Sequence, residues 1–271
     1  MEVYYAYGLG NSINGWLTMF SIDRNTKIQI VPDYDYGRMD EILDKKYIYY
    51  GDINDPNINK YFTFQFLVLK TETNQKDSHP LYSWRGLTTN DYLNNLFNND
   101  VQLGFDFNPD AIADEVKTRY LSAIDDIIWS DSITEAIKKI DVKENSLAIS
   151  VRTWKAPHET NIDREYDFET YRDNILKVLD ETKIKYVYFS IDNENYKQPY
   201  IDLFEKHGIE YIELNNLYND MTKIQITLLK IMTLAKCDYF IAHGRSTFSL
   251  LVFWLSRLRI KTIPVFSEKF N

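Results

Sequence analysis

The sequence predicts an α/β fold in two Rossmann-like domains, residues 1–143 and 144–271. Three observations predict it. From Ser146 onward, short apolar strand-like runs alternate with helix-like segments, the pattern of a parallel sheet with right-handed crossovers. Near the start, Val3, Tyr5 and Tyr7 alternate like a strand and lead through a glycine turn into a helix-like stretch. Between these regions, residues 141–145 are polar and read as a link.

Composition narrows the function. The chain has 271 residues, 44% of them hydrophobic, enough for one large core or two small ones. Its net charge of -9 argues against a general nucleic-acid binder. No run reaches membrane-spanning length, and MEVYYAYGLG has neither the basic nor the apolar region of a signal peptide. The single cysteine, Cys237, excludes an internal disulfide and reads as a buried structural thiol in a reducing compartment. A cytoplasmic protein without a membrane span is expected.

In the first domain, Gly8-Leu9-Gly10-Asn11 is a turn that lets a ligand approach the backbone closely. Ile13, Trp16, Leu17 and Phe20 follow at helical spacing, with Asn11 or Ser12 as the expected cap. Residues 28–31, 47–50 and 63–69 read as strands. Asp33-Tyr34-Asp35 has the Asp-x-Asp spacing by which metal-dependent glycosyltransferases hold a divalent ion, but Pro32, Asp33 and Gly37 also make a solvated turn. The turn is the preferred reading, and no metal or other cofactor is expected. Residues 71–100 are polar and loop-like, a plausible acceptor side. Residues 109–128 read as one long helix with Pro109 in its first turn, and residues 133–140 as a second.

In the second domain the expected strands are 147–151, 186–189, 209–212, 239–242 and 262–265. Residues 168–179, 196–207 and 221–234, and those from Ser246 onward, are the expected helices. Parallel sheets bind ligands at the carboxyl ends of their strands. Arg152 follows the first strand, and either holds a diphosphate or snorkels at a strand end. Lys155 and His158 lie in the charged loop beyond it, as contacts to a sugar or acceptor or as solvated residues. Asp192 follows the second strand. Gly244, Arg245, Ser246 and Thr247 follow the fourth, where a helix begins. A helix N-terminus presents N–H groups and partial positive charge, so these hydroxyls and Arg245 suit a phosphate; Ser246 equally suits an ordinary cap on a core helix.

These segments together resemble the fucosyltransferase superfamily of α1,2-, α1,6- and protein O-fucosyltransferases, with bacterial and viral α1,2-like members nearest in character. Asp238, Ser246, Phe248 and Ser249 match its C-terminal motif, with His243 where the family has Ser or Thr. Gly8, Gly10 and Asn11 match its opening turn, with Ser12 in place of Gln. Arg152 matches the Arg of its His-x-Arg motif, with Ser150 for the His and Thr153 for a second Arg. Asp192 matches the Asp of its Phe-Ser-x-Asp strand end, and Phe168 and Tyr171 its Phe-x-x-Tyr helix, read here as packing.

The resemblance implies a GT-B fold, two Rossmann-like domains facing across a cleft, and inverting transfer of L-fucose from GDP-fucose to a glycan hydroxyl. It implies that Arg152 contacts the donor diphosphate and that the glycine turn faces the donor. Asp192 would accept from the N1–H and amine of guanine, or else cap the next helix. The expected partners are a nucleotide sugar and a glycan acceptor. Two other readings stay open: a GT-B enzyme using another nucleotide sugar, and a nucleotide- or glycan-binding relative without turnover.

Overall fold

The computed structural model describes residues 8–22, 24–29, 38–50, 107–112, 114–153, 166–218, 220–244 and 246–265. The expected strands at Val3–Tyr7 and 63–69, the Asp33 and Asp35 turn, the 71–100 loop, Lys155, His158 and Arg245 lie outside these residues. The chain is mixed α/β and divides into two units. The first comprises Met1–Gly104, Asn108–Lys139 and Thr222–Leu228; the second comprises Phe105–Phe107, Ile140–Met221 and Leu229–Asn271.

In the first unit, helix α1 (Leu9–Ile22) buries Leu9, Ile13, Trp16, Leu17 and Phe20, the stripe its spacing predicts. The helix starts earlier than expected. Leu9, Gly10, Asn11 and Ser12 already lie within it, and the Ser12 N–H donates to the Gly8 carbonyl at 3.2 Å. Neither Asn11 nor Ser12 is therefore the cap; Gly8 holds that place, and the expected glycine turn is the first turn of the helix. Trp16 stacks on Phe20 at 4.7 Å, and Tyr47 meets both rings edge-on at 5.2 Å. Removing so large a buried ring as Trp16 costs about 3–5 kcal/mol in comparable cores.

Two short strands, β1 (Ile28–Gln29) and β2 (Ile48–Tyr49), pair in parallel. The long helix expected over 109–128 is broken. A 3-10 turn at Pro109–Ala111, capped by Asn108, precedes α2 (Asp114–Asp126). Proline suits the first turn of either helix type, so its presence alone could not reveal the break. Arg24 lies over the Phe20 ring and pairs with Asp126 of α2 at 2.8 Å. Helix α3 (Asp131–Lys138) buries Ile133 and Ala136.

The second unit is a five-stranded parallel sheet: β3 (Ser146–Val151), β4 (Tyr186–Ile191), β5 (Glu210–Glu213), β6 (Tyr239–His243) and β7 (Lys261–Val265). Its helices are α4 (Phe168–Glu181), α5 (Gln198–Lys206), α6 (Lys223–Leu234, whose first turns group with the other unit) and α7 (Thr247–Leu255). Every residue of β3 is buried, as befits a central strand covered on both faces. Leu147, Ile149 and Val151 pack with Val187, Phe189 and Ile191 and with Tyr171, Ile175 and Val178 of α4.

Helix α5 ends at Gly208, whose φ of 64° admits the left-handed turn, and the Ile209 N–H returns to the Phe204 carbonyl at 2.9 Å. The Gln198 start of α5 is later than the expected 196, because Glu194–Tyr196 forms a separate 3-10 turn. Proline at 264 fits the sheet only because β7 is an edge strand.

Strand order is the new information. The sheet runs β5-β4-β3-β6-β7. The chain builds outward from β3 through β4 to β5, returns to lay β6 against the other side of β3, and continues outward to β7. This is the order of the first five strands in a doubly wound dinucleotide-binding sheet. Its direction reverses between β3 and β6, and ligands of such sheets sit outside the carboxyl ends at that reversal.

Candidate functional site

The register brings two of the sequence-predicted segments to the reversal point. Ile149 of β3 faces Ile241 of β6, so Arg152 and Gly244 stand equally far along neighbouring strands. Neighbouring strands lie about 4.8 Å apart, which puts the chain leaving β3 beside the turn leaving β6.

On the β6 side, the Gly244 N–H donates to the Val265 carbonyl, and the Ser246 N–H to the His243 carbonyl at 3.3 Å. His243 is buried, and its Nδ1 lies 2.6 Å from the Gly244 carbonyl. A carbonyl can only accept, so that nitrogen carries the proton. Ser246 is the N-cap of α7, and its Oγ accepts from the Ser249 N–H at 3.5 Å. The capping reading of Ser246 is thus realised, and the hydroxyl keeps its own proton to donate. Thr247 is the first residue of α7. The first N–H groups of a helix have no partner within it and carry partial positive charge. Ser249, in the same turn, is fully buried, and among the described residues its Oγ meets no hydrogen-bond partner.

On the β3 side, Arg152 and Thr153 follow Val151, both half-buried. Asp192, at the carboxyl end of the adjacent β4, turns to this loop. Its carboxylate accepts from the Thr153 N–H at 2.9 and 3.1 Å and from the Thr153 hydroxyl at 2.7 Å. Its own N–H donates to the Val151 carbonyl at 3.3 Å. The expected alternative for Asp192, capping the next helix, is corrected. Asn193 does this, accepting from the Asn195 N–H at 3.1 Å. Tyr171 of α4 reaches the same loop from below. Burial pushes its hydroxyl well above the ordinary tyrosine range, and the nearby Arg152 backbone offsets part of the rise. Tyr171 is buried among neighbouring rings, which agrees with the packing expected of it.

Beyond Asp192 lies a charged network the sequence did not suggest. Lys197 pairs with Glu194 and Glu213, each at 2.9 Å. Asn215 donates to the Ile191 carbonyl at 3.0 Å and accepts from Lys230 Nζ at 2.6 Å. Burial lowers the basicity of Lys230, opposed by the nearby Glu194. Rings gather beside it: Tyr166 meets Tyr196 at 5.0 Å, and Phe168 meets Tyr200 at 5.0 Å.

Asp238, which opens the matched C-terminal motif, stands at the opposite end of the sheet. Its carboxylate accepts from the Ser146 N–H at 3.0 Å, at the amino end of β3. Cys237 beside it is buried, which pushes its thiol up to about 12. Gly8, Gly10 and Asn11 belong to the other unit, at the start of α1. Among the described residues, nothing lies within 4 Å of a Cβ placed on Gly8. Among the described residues no cluster of His, Cys, Asp and Glu is arranged to hold a metal, and no helix is long and apolar enough to cross a membrane.

No protein-family model matches the chain, and no curated protein does. Among solved structures it is similar to POFUT1, a protein O-fucosyltransferase. Against POFUT1 in complex with GDP, the identity is 14% and the TM-score 0.41 over 57% of this chain and 54% of that one. The chain thus spans about half the length of that structure. Against a second crystal form, in complex with GDP-fucose, the identity is 12% and the TM-score 0.49 over 94% of this chain and 93% of that one.

Proposed function

We propose that the protein is an inverting glycosyltransferase that moves L-fucose from GDP-fucose to a glycan hydroxyl. The observation that carries the reading is the pairing of Arg152 with the start of α7 at the point where strand order reverses. A guanidinium and a helix N-terminus are what a departing nucleoside diphosphate needs. The identity of sugar and base rests on the resemblance of the whole set of motifs around Gly8, Arg152, Asp192 and Ser246, whichever residue meets the base.

In this reading an acceptor hydroxyl attacks the anomeric carbon from the face opposite the diphosphate. The new carbon–oxygen bond forms as the bond to the diphosphate oxygen breaks, and the hydroxyl proton passes to a base. Negative charge grows on the leaving diphosphate. Arg152, the first N–H groups of α7 and the hydroxyls of Ser246 and Thr247 meet that charge without reorganising, so they favour the transition state over the bound donor. Arg245, Lys155 and His158 are candidates from the sequence alone for contacts to phosphate and sugar. No metal is required.

A second reading has one observation in its favour. The carboxylate expected to select guanine already accepts from Thr153. A transferase of the same fold using another nucleotide sugar fits that engagement.

The test is a thermal-shift screen of GDP, UDP, ADP and their sugar conjugates, followed by donor hydrolysis. A ligand at a hundredfold excess over its dissociation constant stabilises by about 2.7 kcal/mol. GDP and GDP-fucose should give the largest shifts, and GDP-fucose should be hydrolysed slowly without acceptor. A larger shift with UDP or ADP would promote the second reading; tight binding with no hydrolysis or transfer would leave a binding protein.

A further inference from the structure

We propose that Asp192 and Thr153 form a clasp that sets the backbone of Arg152, so that Asp192 serves the site as a positioning residue and does not read the base. The role rests on the reading of the β3–β6 edge as a diphosphate site; the clasp itself does not.

The direction in which a side chain leaves its backbone depends on the two peptide planes flanking its Cα. Both planes flanking Arg152 are anchored. In the plane before it, the Val151 carbonyl accepts from the Asp192 N–H at 3.3 Å. In the plane after it, the Thr153 N–H donates to both oxygens of the Asp192 carboxylate, 2.9 and 3.1 Å away. The Thr153 hydroxyl closes the clasp on Oδ1 at 2.7 Å. The Tyr171 ring, near the Arg152 backbone, is buried among Tyr166 and Tyr200. A long guanidinium launched from so fixed a Cα has less freedom to lose when it meets a phosphate.

The same bonds count against base reading. A carboxylate offers about four lone-pair directions, and guanine would ask for two of them, one for N1–H and one for the amine. Thr153 brings two protons to this carboxylate, its N–H shared between both oxygens and its hydroxyl on Oδ1. Guanine could be read there only by drawing the shared N–H onto one oxygen, which would loosen the grip on the residue next to Arg152.

The experiment compares wild-type protein with Asp192→Asn, Asp192→Ala, Thr153→Val and Thr153→Ser, each checked for folding by circular dichroism. Two quantities are measured. One is the exchange rate of the Thr153 amide without ligand, by NMR. The other is the affinity for inorganic pyrophosphate, GDP and UDP, by calorimetry. Asp192→Ala should speed Thr153 exchange by about tenfold or more, since it removes a charge-assisted bond. It should weaken pyrophosphate, GDP and UDP by one common factor of about tenfold to a hundredfold, the cost of misplacing a binding group. Thr153→Val should show part of the loss, and Thr153→Ser should keep nearly all the affinity, because it keeps both the hydroxyl and the N–H.

Unchanged Thr153 exchange in Asp192→Ala would overturn the clasp. A loss confined to GDP, with pyrophosphate and UDP bound as before, would overturn the positioning role and restore base reading. Wild-type protein that binds none of the ligands would strike down the diphosphate reading and the role with it. The exchange rate, read without ligand, tells that result apart from a missing clasp.

Discussion

Two aspartates hold the two ends of β3. Asp238 accepts the N–H of Ser146 at the strand's start, and Asp192 accepts the N–H of Thr153 just past its end. The chemistry is the same, a carboxylate of a neighbouring strand satisfying a backbone donor. The consequences differ, because a parallel sheet is not symmetric about its middle. Ligands gather at carboxyl ends, so a bond that tightens the amino end stabilises the fold, while one at the carboxyl end also aims whatever follows the strand. A sequence match to an acidic motif residue therefore says little until the end of the sheet it occupies is known.

The largest expected effect lies in the residue that only the Asp192 end controls. Arg152→Ala should lower turnover by about two to three orders of magnitude, the range for losing an electrostatic stabiliser. Donor affinity should fall less, and Arg152→Lys should recover little, because an ammonium lacks the paired planar donors. Donor hydrolysis measures the first, and calorimetry the second. The melting temperature should barely move; a large drop would make Arg152 a structural residue like Asp238.

Asp238→Ala should show the opposite profile. Ser146 is fully buried, so its N–H would lose its partner in a place water does not reach. The expected loss of stability is about 1–3 kcal/mol by urea denaturation. Affinity for GDP per folded molecule should stay at the wild-type value. A selective loss of affinity without a loss of stability would erase the difference between the two ends.

A smaller effect separates the base from the phosphates. GDP should bind about tenfold more tightly than UDP or ADP, a difference of about 1.4 kcal/mol. Equal affinities would remove guanine from the proposal and leave the phosphate site standing.

The smallest expected effect is none. EDTA should leave turnover unchanged, and so should Asp33→Asn combined with Asp35→Asn. Activity lost in EDTA and restored by manganese would revive the Asp-x-Asp pair as a metal site.

The strands and helices of the second unit were legible because each has its own period in the sequence. Helix α7 announces itself through Phe248, Leu251, Val252 and Leu255, and the start expected at Ser246 or Thr247 falls there, with Ser246 as the cap and Thr247 the first helical residue. Strand order was not legible. Periodicity says that a segment is a strand and nothing of its neighbours, and the pairing of β3 with β6 joins residues far apart in the chain. The grip of Asp192 on Thr153 was hidden for the same reason. The cap of α1 was misread through local chemistry. Two glycines suggested a turn followed by a polar cap, but the helix absorbs Gly10 in its first turn, and the Asn14 side chain reaches back to the Gly10 carbonyl at 2.6 Å.

Pro264 bears on solubility. In a parallel strand, successive residues turn their backbone groups to alternate sides. Lys261 donates to the Asp238 carbonyl and Val265 accepts from the Gly244 N–H, so the backbone at both positions turns toward β6. By that alternation Pro264 turns outward. Its missing N–H takes nothing from the pairing with β6. Among the described residues β7 ends the sheet, and the missing N–H leaves a gap in the row of donors on its outer side, a device by which sheet edges resist pairing with another molecule.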